Sequence, residues 1–408
     1  MKKKIYLSGP GLVCCAGQNR NELYESCLNG FQGGMVMHEL PGSPEADGSS
    51  VTYGSGKKFP AGLVMSELPD IDTLPVSYTW TKCIKLINAA LEQMRDEIEK
   101  AIALYGKERI GVCLGSCDNG SETSLTAHRA FFEKGAFPGG YSLSCQSASF
   151  PAEFIARKFA LKGPVLTAAT ACASGASAIV RGSELIRADF CDAVIAGGVD
   201  VVSDTVFLGF HALEALSDSL CNPLSKNRKG INLGEGAAFF LMDTSRNSAI
   251  ELLGTGESSD AWHMTAPGTD GAGPAKAMRA ALLDSGLEPE QIGYINLHGT
   301  GTPLNDSAEA LAVKTVFGET VPPVSSTKPI TGHTLGAAGA LEAAICWMVL
   351  NEKKGLPVHC WDGERDEEIP WMPLESVQKN PSVCMSNSFA FGGCNVSLIL
   401  GDTGNEGV

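Results

Sequence analysis

The sequence of 408 residues has no excess of basic residues: 31 lysines and arginines stand against 46 aspartates and glutamates, a formal net charge of −15. A nucleic-acid-binding surface needs cations to neutralise phosphates, so this composition argues against that class of function. No apolar run approaches the ~20 residues of a membrane-spanning helix. The apolar segment after Lys2–Lys4 is interrupted at Ser8-Gly9-Pro10-Gly11, too early for a secretion signal, and predicts a strand and a turn instead.

The fourteen cysteines include no Cys-x-x-Cys pair. Cys113 and Cys117 have no second pair of ligands nearby in the sequence, which argues against a zinc site. Cys346 and Cys384 lie within apolar runs. We therefore expect buried, reduced thiols, no metal site and a cytoplasmic location.

The chain has two halves with similar first and last segments. Residues 4–8 and 250–253 are each predicted to form a strand that runs into two glycines. Residues 234–244 and 392–403 each combine a glycine turn, an apolar strand and a final Asp-Thr. These matches favour a duplicated unit with a boundary near residue 248.

Apolar strands alternate with helical stretches in both halves. The clearest predicted strands are 109–114, 164–168, 193–197 and 292–297, and the predicted helices are 82–104, 151–161, 172–188, 274–286, 306–317 and 337–350. This alternation predicts an α/β fold with a largely parallel or mixed sheet. Residues 40–75 are rich in proline, glycine and serine and predict a surface loop or cap.

Cys172 lies in the segment Thr167-Ala-Ala-Thr-Ala-Cys-Ala-Ser-Gly175, between an apolar strand and a helix of small residues. Small residues permit a sharp turn and leave space for an incoming acyl group. At a helix N-terminus, unpaired amides and the helix dipole favour the thiolate, the reactive form of cysteine. On this segment alone, a nucleophile and a buried structural cysteine are equally good interpretations.

Two histidines lie in loops that follow predicted strands. His298 is in Asn296-Leu-His-Gly-Thr-Gly-Thr302, and His333 ends Ser326-Thr-Lys-Pro-Ile-Thr-Gly-His333. A single histidine is usually structural or exposed. Two with matched placement, in a chain of seven histidines, favour a functional role together with Lys328.

Four segments together resemble the elongating β-ketoacyl-acyl-carrier-protein synthases of the thiolase-fold superfamily: TACASG, HGTGTPLND, STKPITGHTLGAAGA and SNSFAFGGCN. The resemblance runs nearly end to end, from SGPG at residue 8 to GGCN at residue 392. It implies a thiolase-like α/β fold in which two pseudo-duplicated halves, residues 1–247 and 248–408, form a layered α-β-α-β-α arrangement.

The resemblance also implies roles for individual residues. Cys172 resembles the acyl-accepting nucleophile, and His298 and His333 resemble the pair that binds the malonyl thioester and assists its decarboxylation. Phe391 resembles the gating phenylalanine, whose backbone N–H would form an oxyanion hole with that of Cys172. The remaining assignments are Lys328 as the orienting lysine, Asp306, Glu309, Glu342 and Asn395 as its supporting network, and Thr300, Thr302, Phe210 and Gly392 as substrate-binding residues.

The implied reaction is a decarboxylative Claisen condensation by an acyltransferase of the EC 2.3.1 class. An acyl group held on Cys172 would condense with malonyl-acyl-carrier protein, in fatty-acid or related type II polyketide or aryl-polyene-like synthesis. Substrates would arrive on the carrier's phosphopantetheine arm, and no metal or other cofactor is required. The family implies a homodimer, or a heterodimer with a related subunit, with residues around 105–165 near the interface.

The sequence departs from the family pattern at several positions. Lys229 stands where an acid is common, and Asp218 stands where some members have an arginine used in carrier docking. Ala390 replaces a glycine before the gating phenylalanine, and Cys394 replaces a threonine or histidine. Because alanine tolerates positive φ poorly, we expect a stiffer gate.

Carrier proteins are acidic, so a local basic patch is expected near the pocket mouth despite the net negative charge. The candidates are Lys57, Lys58, Lys226, Arg228 and Lys229. Each could equally be part of a solvated face.

Three other activities agree less well with the sequence. A non-catalytic, chain-length-factor-like subunit usually loses the nucleophile, which this chain keeps. A degradative thiolase uses a second cysteine near its C-terminus in a Cys-x-Gly setting, whereas this chain has FGGCN there. An initiating synthase would use a histidine–asparagine pair in place of two histidines.

Overall fold

The computed structural model describes residues 2–40, 56–71, 78, 81–117, 120–245, 248–371, 373 and 380–404. Its strands are β1 (Tyr6–Leu7), β2 (Gly11–Cys14), β3 (Met35–Glu39), β4 (Lys58–Gly62), β5 (Ile110–Gly115), β6 (Val165–Ala168), β7 (Ala193–Asp200), β8 (Gly236–Asp243), β9 (Ile250–Ser259), β10 (Tyr294–Asn296), β11 (Val324–Ser325), β12 (Val383–Phe389) and β13 (Cys394–Asp402).

The helices of the described residues are α1 (Arg20–Asn29), α2 (Lys82–Glu92), α3 (Arg95–Tyr105), α4 (Ser121–Lys134), α5 (Phe150–Phe159), α6 (Ser174–Arg187), α7 (Asp204–Ala212), α8 (Ala272–Ser285), α9 (Pro303–Phe317), α10 (Lys328–Thr331) and α11 (Ala338–Glu352). Within these residues, no helix has the length and apolar character needed to cross a bilayer.

The large sheet has a symmetric strand order, β6-β5-β7-β8-β1 followed by β9-β13-β12-β10-β11, with β2 paired to β8. The inner strands pair antiparallel across the junction of β1 and β9, whereas β5 is parallel to both β6 and β7. Strand β10 is likewise parallel to β11 and β12. The parallel strands of each half therefore end at the same edge of the sheet, and the loops after β6 and β10 begin there.

Helices α6 and α11 pack against each other between the two halves of the sheet. Helix α6 contacts β5 and β7, α11 contacts β12 and β13, and both helices are almost entirely buried. Helices α2 and α5 cover the outer face of the first half, and α8 and α9 cover that of the second. The predicted α-β-α-β-α layering is confirmed.

Glycine allows the two central helices to approach closely. A Cβ on Gly339 would lie 2.8 Å from the Cβ of Ala176, and one on Gly175 would lie 2.8 Å from the carbonyl oxygen of Gly336. The small-residue character of both segments therefore follows from packing between helix backbones.

Several predicted elements differ in detail. The predicted helix 82–104 is two helices, α2 and α3, and at the break between them the Gln93 side chain donates to the carbonyls of Leu12 and Gln18. The predicted loop at 40–75 is wrong in part, since it contains β4, which pairs with β3; residues 41–55 and 72–75 of it lie outside the described residues. Helices α1, α4 and α7 were not predicted.

Candidate active site

Cys172 lies in a tight turn between β6 and α6. Residues Ala171–Ala173 form a single 3₁₀ turn, and Ala171 has a left-handed backbone with φ of 47°. The Ser174 hydroxyl accepts the Thr170 amide and donates to the Ala171 carbonyl, which fixes the turn. The Cys172 side chain is buried, and α6 begins two residues later, at Ser174. The predicted position of Cys172, in a turn at the start of a helix, is confirmed.

His333 reaches the thiol from the other half of the chain. Its Nε2 atom lies 3.0 Å from Cys172 Sγ, and its backbone is held by pairing with Asn232 and Gly234. Burial raises the pKa of the Cys172 thiol to about 12, although Lys328 and the backbone N–H of Phe391 oppose that rise. Burial therefore opposes the thiolate that the helix terminus is predicted to favour.

His298 directly follows β10 and lies beside His333. The two imidazole rings are 5.3 Å apart and nearly perpendicular, at 82°. Both side chains are buried, and the Glu309 carboxylate accepts the backbone N–H groups of His298 and Gly299 at 2.8 and 2.7 Å. Glu309, from α9, therefore anchors the histidine loop.

Lys328 connects the histidines to a buried carboxylate. Its Nζ forms an ion pair with Glu342 of α11 and lies 3.5 Å from Nδ1 of His298. Desolvation by burial, reinforced by Lys328, holds the pKa of both His298 and His333 well below the usual range. Both imidazoles are therefore neutral. Because the Lys328 ammonium group faces Nδ1 of His298, we assign the single proton of that ring to Nε2.

The acidic network around these residues is buried. Burial raises the pKa of Glu309 and of Glu342 to about 7, even though amide donors and Lys328 act in the opposite direction. Burial also raises the pKa of Asp306, whose carboxylate accepts the N–H groups of Leu224 and Gly301. These three acids hold loops of the site in place.

The turn after β12 carries the predicted gate. Phe391 stacks on Phe210 of α7, with ring centroids 5.9 Å apart. Ala390 has an extended backbone, with φ of −101°, so its Cβ causes no strain in this conformation and the expected penalty is absent here. Positive φ occurs at Gly392 and Gly393 instead, where no Cβ is present.

A cavity of about 340 Å³ opens above Cys172, His298 and His333. Most of the predicted site residues meet at this cavity. Besides the three residues just named, its lining includes Thr300, Thr302, Phe210, Phe391 and Asn395. The hydroxyls of Thr300 and Thr302 lie 3.0 Å apart. Gly392 is not among the lining residues, because its amide turns away and donates to the carbonyl of Met264. Lys328, Asp306, Glu309 and Glu342 lie behind the lining.

Sequence reasoning missed the loop that follows β9. Asp260 lines the cavity and accepts from Nδ2 of Asn395 at 2.7 Å, and its amide donates to the Gly393 carbonyl. Thr265 and Pro267 of the same loop also line the cavity. Asp260 follows a strand just as His298 does, and this shared position is the signal that could have identified it.

Comparison with known proteins agrees with this geometry. Residues 78–247 match the N-terminal domain model of the β-ketoacyl synthases, and residues 249–359 match the C-terminal domain model. The 3-oxoacyl-[acyl-carrier-protein] synthase 2 of Staphylococcus aureus (strain COL) is 33% identical over 98% of both chains. The enzyme of the same name from Coxiella burnetii is 31% identical, also over 98% of both chains.

Solved structures lead to the same family. The ketosynthase ApeO in complex with its chain length factor ApeC, from Xenorhabdus doucetiae, matches with a TM-score of 0.89 and 38% identity over 98% of both chains. The ishigamide ketosynthase/chain length factor matches with a TM-score of 0.85 and 27% identity, over 99% of this chain and 100% of that one. The chain belongs to the β-ketoacyl synthase family.

Proposed function

We propose that this protein is an acyltransferase that condenses an acyl group, held on Cys172, with malonyl-acyl-carrier protein and releases CO2 and a β-ketoacyl-acyl-carrier protein. The observation that carries the proposal is the contact of 3.0 Å between Cys172 Sγ and His333 Nε2, beside a second neutral histidine. A thiol, a proton acceptor and an N–H donor then face one cavity.

The first half-reaction transfers the acyl group. Cys172 Sγ attacks the thioester carbonyl carbon as His333 Nε2 takes the thiol proton, and the carbon–sulfur bond to the carrier breaks. The proton then passes to the departing carrier sulfur, so the imidazole is neutral again. A proton acceptor is needed because the thiol, with a pKa of about 12, is protonated at neutral pH.

The second half-reaction forms the carbon–carbon bond. The bond between the malonyl carboxylate and Cα breaks, CO2 leaves, and the electron pair forms an enolate on the thioester oxygen. Once Cys172 is acylated, the proton of neutral His333 moves from Nδ1 to Nε2 by exchange with solvent, so that the Nε2–H groups of His298 and His333 both stabilise that oxygen. The Lys328 contact to Nδ1 keeps the His298 proton on Nε2. The enolate carbon attacks the carbonyl carbon of the Cys172 thioester and expels the thiolate, which takes up one proton from solvent.

The proposed reaction requires no metal or redox cofactor, because the electron pairs that form its new bonds come from the Cys172 thiol and from bonds that break in the substrates. The phosphopantetheine arm would enter past Thr300 and Thr302, which line the cavity. All fourteen cysteines are free thiols, which supports a reducing, cytoplasmic location.

We propose a dimer formed through the β6 edge. Leu166 on this edge strand is exposed, as are Phe131 and Phe132 of α4 and Leu143. An exposed apolar strand edge is stabilised by pairing with a second strand. The partner would be a second copy or a related subunit, as the ketosynthase ApeO is paired with its chain length factor ApeC. A purely non-catalytic subunit is disfavoured because the thiol, both histidines and Lys328 are assembled.

An acylation assay tests the proposal. The protein is incubated with a panel of acyl-loaded carriers, and its intact mass is measured alongside Cys172→Ala and a control, Cys113→Ala, which changes another buried thiol. We expect an acyl adduct on the unchanged protein and on the control, and none on Cys172→Ala. An adduct that survives the Cys172 substitution would contradict the assignment, and the chain length acylated fastest would narrow the pathway.

A further inference from the structure

His359 is a buried histidine that takes no direct part in the proposed reaction. It follows α11, it is 4% exposed, and it is not among the described residues that line the Cys172 cavity. Burial lowers the pKa of its imidazole to about 4, although the hydrogen bond to the Pro223 carbonyl acts in the opposite direction. The ring is therefore neutral near pH 7 and has one donor and one acceptor nitrogen.

Two backbone groups determine which nitrogen of His359 has the proton. Nδ1 accepts the amide N–H of Ser326 at 3.1 Å, and Nε2 lies 3.1 Å from the carbonyl oxygen of Pro223. Because an amide N–H only donates and a carbonyl only accepts, we assign the single proton of the ring to Nε2. The imidazole therefore joins two loops, and each of its nitrogens has one specific partner.

Ser326, the partner of Nδ1, connects two loops of the active site. It is fully buried and directly follows β11. Its hydroxyl donates to the Gly299 carbonyl at 2.7 Å and accepts the Lys328 amide at 3.3 Å. The loops are in close contact, since a Cβ on Gly299 would lie 2.6 Å from the Ser326 Cβ. A shift of Ser326 would therefore displace the backbone beside His298 and the backbone of Lys328.

The positions of His298 and Lys328 relative to each other matter for condensation. Lys328 Nζ lies 3.5 Å from Nδ1 of His298, the contact that keeps the proton of that ring on Nε2. His333, which takes the thiol proton, is held separately, because its backbone pairs with residues 232–234. A displaced Ser326 should therefore impair the donor to the enolate oxygen and leave the transfer of the acyl group to the thiol intact.

The Pro223 side of the bridge has additional support. Leu224, the next residue, donates its amide N–H to the Asp306 carboxylate at 2.9 Å, and Gly301 donates to the same carboxylate at 3.2 Å. This loop therefore keeps two hydrogen bonds to Asp306 when Pro223 loses its donor. The Nδ1 side of His359 is the side that acts on the histidine and lysine loops.

We propose that His359 is a positioning residue for condensation: by accepting the Ser326 amide, its Nδ1 atom holds Lys328 and the loop of His298 in their relative positions. This inference rests on the proposed function and deepens it, because it adds a residue that acts on the His298 proton without touching a substrate. The planar imidazole suits this role, since it holds an acceptor and a donor at a fixed separation between two backbone segments.

Two conservative substitutions each keep one side of the bridge. In His359→Asn the amide oxygen is bonded to Cγ, as Nδ1 is in histidine, and accepts the Ser326 amide. In His359→Gln the amide nitrogen lies one bond farther out and donates to the Pro223 carbonyl in place of Nε2, whereas the acceptor at the position of Nδ1 is lost. Each variant removes one buried hydrogen bond to the backbone, so each is the matched control for the other.

The two half-reactions are measured separately in these variants. Acylation of Cys172 by octanoyl-acyl-carrier protein is followed by intact mass, and CO2 release is then measured after malonyl-acyl-carrier protein is added to the acylated protein. We expect His359→Gln to slow CO2 release ~tenfold or more and acylation at most ~twofold. His359→Asn should recover CO2 release to within ~threefold of the unchanged protein.

Ser326→Ala tests the same connection from the other residue. It keeps the amide N–H that His359 accepts and removes the hydroxyl that joins the Gly299 carbonyl to the Lys328 amide. We expect it to slow CO2 release as His359→Gln does, with acylation intact. The double variant Ser326→Ala, His359→Gln should be no slower than the slower single variant, because both substitutions break one connection.

Equal rates of CO2 release in His359→Asn and His359→Gln, or equal losses of acylation and CO2 release in His359→Gln, would show a purely structural histidine and overturn the inference. If urea unfolding shows that His359→Gln does not fold, Ser326→Ala decides, and an unchanged rate of CO2 release in it would overturn the inference. Failure of the unchanged protein to acylate Cys172 from any acyl carrier would overturn the proposed function itself. The two failures are distinguishable because the second occurs without any substitution.

Discussion

The turns that begin α6 and α11 have the same backbone and opposite chemistry. Each is a 3₁₀ turn, Ala171–Ala173 in the first half and Leu335–Ala337 in the second, and each starts with a left-handed residue, φ 47° at Ala171 and 51° at Leu335. The first turn carries Cys172. The second follows His333 and leads into the helix that carries Glu342.

The two halves therefore place different functional groups around the same kind of backbone turn. The first half presents a neutral thiol with small neighbours, whereas the second presents two neutral histidines held by a buried lysine and buried carboxylates. Buried charges need partners, so the second half depends on its ion pair in a way that the first does not. Substitutions in the second half that break its ion pair should therefore lower the stability of the fold as well as the activity.

The largest effect is expected from Lys328→Met. This change leaves Glu342 buried without its cation and should lower the free energy of unfolding by about 3–5 kcal/mol, measured by urea unfolding. It also frees Nδ1 of His298, so condensation should be lost. The double variant Lys328→Met, Glu342→Gln is the control and should recover stability without recovering condensation. Equal stability of the single and double variants would show that the pair is not coupled.

Removing either histidine should separate the two half-reactions. His298→Ala and His333→Ala should each slow CO2 release from malonyl-acyl-carrier protein by roughly 10²–10³-fold, because one N–H donor to the enolate oxygen is lost. Acylation of Cys172, followed by rapid-quench mass spectrometry, should slow far more in His333→Ala than in His298→Ala. Equal effects of the two substitutions on acylation would contradict the distinct role given to His333.

The close approach of the central helices allows a packing test. A Cβ on Gly339 would lie 2.7 Å from the Ser388 hydroxyl and 2.8 Å from the Ala176 Cβ. Gly339→Ala should therefore lower the free energy of unfolding by about 1–3 kcal/mol. Gly209→Ala, in α7, is the control: a Cβ there meets no atom within 4 Å, and the change should stabilise by roughly 0.5–1 kcal/mol. Thermal unfolding of both variants and of the unchanged protein measures the two changes in stability.

The smallest expected effect is a pH dependence of stability from the neutral histidines. Because the pKa of His298 and of His333 is lowered in the folded state, the unfolded chain binds protons first as pH falls below ~6.5. The stability they contribute is present above that pH and is lost below it, by up to about 1.4 kcal/mol per pH unit for each histidine. The free energy of unfolding, measured with urea at a series of pH values below ~6.5, should depend less steeply on pH in His298→Gln and in His333→Gln than in the unchanged protein.

Much of the fold follows from local patterns in the sequence. Strand β7 is a continuous apolar segment that is buried along its whole length, as predicted, and the predicted helix α11 is buried from Ala338 to Leu350. Helices α1 and α4 were missed because most of their side chains are partly exposed and their apolar faces are narrow. Strand β4 was missed because its pairing with β3 bridges a long sequence separation and it contains a proline.

The site was predictable where a polar residue follows a buried strand, as His298 does. Its electrostatics were not, because the pKa of Cys172 depends on burial by residues distant in sequence. The partners of Lys226 and Lys229 were equally invisible, since an ion pair between Lys226 and Glu364 joins positions far apart in the chain. Residue type alone therefore could not show which of the candidate basic residues have an acidic neighbour.

The most direct test of the central claim is a single-turnover measurement. Protein acylated on Cys172, with the adduct located by peptide mass spectrometry, is freed of acyl carrier and mixed with malonyl-acyl-carrier protein. We predict that the Cys172 adduct disappears at the rate at which CO2 and a carrier-bound β-ketoacyl chain, longer by two carbons, appear. Release of the acyl group as a free acid, with no extended chain on the carrier, would contradict the account.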